Sequence, residues 1–295
     1  MSRPYPHFTH PETVRTKALA AGAAGALLLT SCSPPAAPPT EAPTATSYPS
    51  GHIHGMSVDP ATNQVLLATH DGLFNISTSP ISKIGPTIDL MGFTTTANGD
   101  FYASGHPGQG TDLPDPVGLI RSTDGGQTWQ PLSRQGESDF HALAATDSGI
   151  VGYDGQLRTS EDGTSWGAVN MSVPAFNLAA TPRDSVVLAT TEEGLQRSTD
   201  DGRTWSAVPG APLLMLTALS EGKATGITPE GVVYTSGNAG VTWVERGAVP
   251  GEPAAIAAHT LDDTTLRIWV ATGDSVQVSN DNGQTFTDAR SNHLK

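Results

Sequence analysis

The chain has 295 residues, 37% hydrophobic and 15% charged, with a formal net charge of −14. That composition supports a folded body with a core, and its acidity argues against a nucleic-acid partner, because an acidic surface repels phosphate backbones. A single cysteine, Cys32, excludes an intramolecular disulfide.

At the N-terminus, Arg15 and Lys17 precede an apolar run from Ala18 to Leu29. A run of this length suits the hydrophobic region of a signal peptide and falls short of the ~20 residues that span a bilayer. It closes with Leu29-Thr-Ser-Cys32, which resembles a bacterial lipobox. The resemblance implies cleavage before Cys32 and acylation of its thiol, and two or more acyl chains anchor a protein stably. Residues 1–31 therefore read as a lipoprotein signal peptide. Residues 32–50 read as the lipidated cysteine followed by a Pro/Ala/Thr-rich linker that cannot build a core. The expected location is the extracellular face of the cell membrane.

From residue 51 the chain repeats. Arg121-Ser-Thr-Asp-Gly-Gly-Gln-Thr-Trp129 returns as Arg197-Ser-Thr-Asp-Asp-Gly-Arg-Thr-Trp205, with looser copies ending at Trp166, Trp243 and Phe286. The closing aromatics are spaced 37, 39, 38 and 43 residues apart. A period near 40 marks a repeat architecture. Gly and Pro are plentiful (32 and 23), and the apolar runs are short, which predicts short strands joined by tight turns. Six units begin near residues 51, 89, 138, 174, 212 and 253, each reading as four strands. The first lacks the signature but keeps the spacing: His54 to Asp71 and Phe176 to Glu193 both span 17 residues. The fold class is thus all-β, and residues 51–295 are expected to form one six-bladed β-propeller, closed radially so that its sheet edges are protected.

The signature resembles the Asp-box, or BNR repeat, of sialidase-like propellers. Its expected place is the hairpin between third and fourth strands. Ser122 and Asp124 have short side chains suited to bonding turn amides, Gly126 can take positive φ, and Trp129 supplies an apolar face. Ser198, Asp200, Gly202 and Trp205 form an equivalent set, as do Ser279, Asp281, Gly283 and Phe286; the third unit offers Glu161 and the fifth Asn238 in place of the aspartate. Motifs this similar in five blades cannot all be one active site, so their reading is structural. A sialidase would add an arginine triad, a Tyr/Glu nucleophile pair, an Asp acid and a Phe/Tyr-Arg-Ile-Pro stretch. That stretch is absent, and Arg121, Arg158 and Arg197 fall on third strands, away from the axis.

The propeller resemblance places a ligand site on the face opposite the Asp-boxes. Five of the six histidines of residues 51–290 map to that mouth: His52, His54, His70, His106 and His141. His259 maps to the far end of an inner strand. A His-x-His pair on a strand turns both rings to one side, ~7 Å apart at the backbone, a spacing that serves a shared metal. Met91 aligns with His54, and Asp139 with His52. Imidazoles with a thioether suit copper; imidazoles with a carboxylate suit zinc or another divalent ion. The candidate acids are Asp71, Asp139, Asp112 and Asp115, the middle pair by sequence belonging to the long loop 105–118. The motifs His52-Ile-His-Gly, His70-Asp-Gly-Leu and Gly-His-Pro-Gly before an Asp-box resemble secreted bacterial propellers labelled "glycosyl hydrolase" or "exo-α-sialidase", whereas sortilin-type and photosystem-assembly propellers with the same repeats are binding proteins. Three functions stand open: a membrane-anchored monomer binding a small ligand or metal ion at the histidine-lined mouth, a glycoside hydrolase using the same mouth, or a protein-interaction scaffold.

Overall fold

In the computed structural model the described residues are 48–49, 51–171 and 173–290. The signal-peptide reading, Cys32 and the linker up to residue 47 lie outside them. No helix among the described residues is long and apolar enough to cross a membrane.

Twenty-four strands form six four-stranded antiparallel sheets, each built from four consecutive strands. The innermost strands are Ile53–Val58, Ile88–Thr95, Ala142–Ala145, Asn177–Ala180, Leu216–Ser220 and Pro253–Thr260. The molecule is a six-bladed β-propeller. Side chains alternate across each sheet, and both faces are buried between neighbours, which explains the continuous apolar runs. In blade 1, Leu66, Ala68 and Leu73 face blade 2, while Val65, Leu67 and Phe74 face blade 6.

The Asp-box does two jobs. Within the hairpin, Ser122 Oγ donates to Asp124 Oδ1 (2.8 Å) and accepts from the Gly126 amide (2.8 Å). Asp124 in turn accepts from the Thr128 amide (2.9 Å) and hydroxyl (2.6 Å). The same bonds recur around Ser198 and Asp200, and around Ser279 and Asp281. In blade 5, Asn238 accepts from the Thr242 amide and donates through Nδ2 to the Thr242 hydroxyl. The third unit corrects the sequence alignment. Its turn is one residue shorter, so Asp162, not Glu161, accepts from the following amides (2.7 and 2.8 Å). Glu161 instead pairs with Arg203 of the next blade at 2.8 Å.

The second job is between blades. Gly126 sits at φ +87°, and a Cβ there would lie 2.7 Å from Leu73 Cδ2 of the preceding blade. Gly163, Gly202, Gly240 and Gly283 press in the same way on Leu132, Val151, Leu188 and Val233, at 2.7–2.8 Å. The closing aromatics follow: Trp129, Trp166, Trp205, Trp243 and Phe286 each pack on the cluster shared with the preceding blade. Blade 1 has no Asp-box. It closes the ring against blade 6 through Phe74, Ile76, Trp269 and Val278, with Tyr48 packed alongside.

Gly126→Ala is expected to lower stability by roughly 1–3 kcal/mol, from overpacking and a disfavoured backbone. Asp124→Asn should be tolerated, since blade 5 carries that chemistry as Asn238. Urea denaturation of the two variants checks the contrast. The Thr128 and Ser122 hydrogen bonds hold the Asp124 carboxyl down at about 2. The stability it contributes is therefore present above the ordinary carboxylate value of ~3.9 and fades as pH falls through about 2. Acid unfolding followed by tryptophan fluorescence should show Asp124→Asn to be less pH-dependent in that window.

Candidate functional site

The innermost strands open on an axial cavity of about 830 Å³ whose lining includes His54, Met91, His141, Phe176 and Ala254. Hydrogen-bond register makes their equivalence explicit. A bulge falls at His54, Met91 and Ala254 in blades 1, 2 and 6. In blades 3, 4 and 5 the same place is held by His141, Phe176 and Met215, whose amides donate to Tyr153, Thr190 and Ile227. Two residues earlier stand His52, Asp89, Asp139, Pro174, Leu213 and Glu252.

At the seam of blades 1 and 2, Asp89 gathers two imidazoles. His70 Nδ1 lies 2.6 Å from Asp89 Oδ2, and His54 Nε2 lies 3.5 Å from Asp89 Oδ1. One ligand atom from each of the three residues lies within 4.8 Å of the others. The His70 ring stands edge-on to those of His54 (4.8 Å) and His52 (5.3 Å). His54 Nε2 and Asp89 Oδ1 are both buried and without hydrogen-bond partners among the described residues. Burial first, and the neighbouring imidazoles after it, push the His54 pKa below its ordinary value; Asp89 opposes them. His54 is thus held neutral near pH 7, with a free electron pair on one ring nitrogen.

One seam further on, the arrangement repeats with different partners. Asp139 Oδ2 lies 2.7 Å from His141 Nε2 and 3.3 Å from His106 Nε2. His106 Nδ1 lies 2.7 Å from Asp115 Oδ1. This is a relay of alternating acids and imidazoles, Asp115–His106–Asp139–His141. The hydrogen bond to Asp115, with Asp139 adding to it, raises the His106 pKa. Asp139 Oδ1 is also buried without a partner.

The remaining candidates are dispersed. Asp71 is an exposed turn residue whose amide donates to Thr69 Oγ1. Asp112 is exposed on its loop and makes no hydrogen bond or ion pair among the described residues. His259 lies near the end of the sixth inner strand. Arg121 pairs with Asp100, Arg158 with Asp154, and Arg197 donates to the Ala239 carbonyl, so the three do not converge. Asp89 is the residue that reading the sequence missed. Its signal was present: it precedes Met91 by two, as Asp139 precedes His141.

A BNR/Asp-box repeat family model matches residues 120–131. No curated protein matches the chain. Among solved structures, the fold is similar to a gluconolactonase of Xanthomonas campestris (TM-score 0.59, 11% identity, covering 79% of this chain and 87% of that one). It is also similar to a catalytically inactive virginiamycin B lyase from Staphylococcus aureus (0.52, 12%, 81% and 84%). A third is the GH74 enzyme of Niastella koreensis (0.54, 13%), where the match covers 83% of this chain and about half, 54%, of the enzyme. Identities this low speak for the fold alone.

The His106 pKa gives a direct check on the relay. Its raised folded value means that the stability it contributes is fully present below the unfolded value of ~6.5 and is lost as pH rises through the folded one. In an NMR titration, Asp115→Asn should shift the His106 midpoint downward; an unchanged midpoint would show that the relay does not act on it.

Proposed function

We propose that this chain is a membrane-anchored extracellular propeller that binds a divalent metal ion at the seam of blades 1 and 2. His54, His70 and Asp89 are its ligands. The observation that carries the reading is the pair of buried, unpartnered atoms His54 Nε2 and Asp89 Oδ1, 3.5 Å apart. Two such atoms, each ~2.1 Å from one ion, subtend roughly 110–120° at it, close to tetrahedral. Buried polar atoms without partners cost free energy, and a cation between them removes that cost. Two imidazoles and a carboxylate form a donor set suited to zinc and similar ions, with a fourth position left for a ligand. The anchoring part of the reading rests on Leu29-Thr-Ser-Cys32.

A second reading, glycoside hydrolysis, is favoured by one observation: Asp89 and Asp139 are carboxylates at equivalent positions of adjacent blades, and Asp139 lines the axial cavity. A glycan panel tests it, with activity expected to vanish in Asp139→Asn while metal binding persists.

Elemental analysis of protein purified without a histidine tag should find a bound divalent ion. At about 100-fold excess over its Kd, added zinc should stabilise the fold by ~2.7 kcal/mol. His54→Ala and Asp89→Ala should abolish that response, and His259→Ala should leave it intact. Absence of co-purified metal, together with a Tm indifferent to zinc and copper, overturns the reading. Cys32→Ser should release the protein from the membrane fraction and end its labelling by radioactive palmitate.

A further inference from the structure

The mouth has two chemically opposite halves. Blades 1, 2 and 3 place His52, Asp89 and Asp139 on the outer ring of equivalent positions, and His54, Met91 and His141 on the inner ring. Blades 4, 5 and 6 place Pro174, Leu213 and Glu252 on the outer ring and Phe176, Met215 and Ala254 on the inner. Among these twelve strand-entry positions the ionisable side chains crowd one half, and Glu252 is the single charged residue of the other six. Phe176 is 64% exposed and Leu213 57% exposed, the highest values among the exposed large hydrophobic residues described. Phe176 lines the cavity from the inner ring of blade 4, and Leu213 stands on the outer ring of blade 5, both on the half that carries no imidazole. Scattered apolar exposure needs no explanation, but the two most exposed large apolar side chains, on adjacent blades at one half of the mouth, mark a binding surface.

From this division we infer that the natural ligand is a small amphiphile, with an oxygen-donor head that completes the metal site and an apolar body lying on Phe176 and Leu213. The inference rests on the metal reading above and adds the class of molecule to it. The axial cavity, about 830 Å³ and lined by His54, His141 and Phe176 together, is of small-molecule size. The occupant is therefore a compact ligand reaching both halves, not a second folded protein. The side chains of Phe176, Leu213 and Ala254 offer no conventional hydrogen bond, so a hydroxyl laid directly on them would lose its water without replacement. An alkyl or aryl group gains there instead.

The test uses zinc-loaded protein and a series of n-alkyl hydroxamates from two to six carbons, measured by calorimetry beside a separate zinc titration. Affinity should climb with chain length, roughly fourfold for each methylene fully buried. In the Phe176→Ala, Leu213→Ser double variant that climb should flatten, while zinc affinity and binding of the two-carbon hydroxamate stay as in the parent. Both side chains are exposed, and the unchanged zinc titration reports a folded mouth. Zinc binding with a flat chain-length series in the parent protein overturns this inference and leaves the metal reading standing. Failure of the zinc titration itself overturns the metal reading, and this proposal with it.

Discussion

The contact on which the ring depends is a glycine pressed against a branched aliphatic side chain of the blade before it. At five seams the approach leaves no room for a Cβ, and at each the backbone is held at positive φ by serine and aspartate or asparagine bonds in the same turn. The hydrogen bonds shape the hairpin, the hairpin presents the glycine, and the glycine lets the following aromatic settle over the seam. The close spacing of neighbouring blades at five seams follows from that one repeated approach. The exposed carboxylates are consumed by this work, which is why the most conspicuous motif in the sequence contributes no chemistry to the mouth.

The opposite face uses seams differently. There the equivalent positions vary from blade to blade. Asp89 of blade 2 reaches back to His54 and His70 of blade 1, and Asp139 of blade 3 reaches to His106 of blade 2. At these two seams a carboxylate on an inner-strand entry lies beside the second-strand end of its neighbour, and a histidine there completes a cross-blade pair. The two clusters are the same geometric idea with different outcomes. At the first seam His54 Nε2 and Asp89 Oδ1 face each other unpartnered while His70 holds the other carboxylate oxygen; at the second every imidazole has an acid and a relay results.

Much of this was legible in the sequence, for reasons tied to particular residues. The period of the closing tryptophans gave six blades, and the count from His54 to Asp71 restored the blade that lacks an Asp-box. The histidines sorted onto one mouth because strand-end positions are fixed by the repeat. Asp89 was passed over because a lone Ile-Asp-Leu carries no local signature; its meaning comes from a neighbour 19 residues away in sequence, across a seam. The alignment of Glu161 failed for a similar reason. A one-residue deletion in a turn is invisible to spacing when Glu and Asp are adjacent, and only the hydrogen bonds decide which carboxylate the turn employs. The exposure of Phe176 and Leu213 was likewise beyond sequence reading, since buried and exposed apolar residues look alike there.

The closing seam has a mechanical meaning of its own. Five joints of the ring share the glycine contact, whereas the sixth is a clasp of Phe74, Ile76, Trp269 and Val278 with no such contact among the described residues and no strand exchanged across it. Tyr48, the first described residue, is packed into that clasp with its hydroxyl buried and its ionisation suppressed by burial. A pull transmitted through the residues before Tyr48 is therefore delivered to the clasp. The seams that hold the histidines lie one and two blades further round the ring.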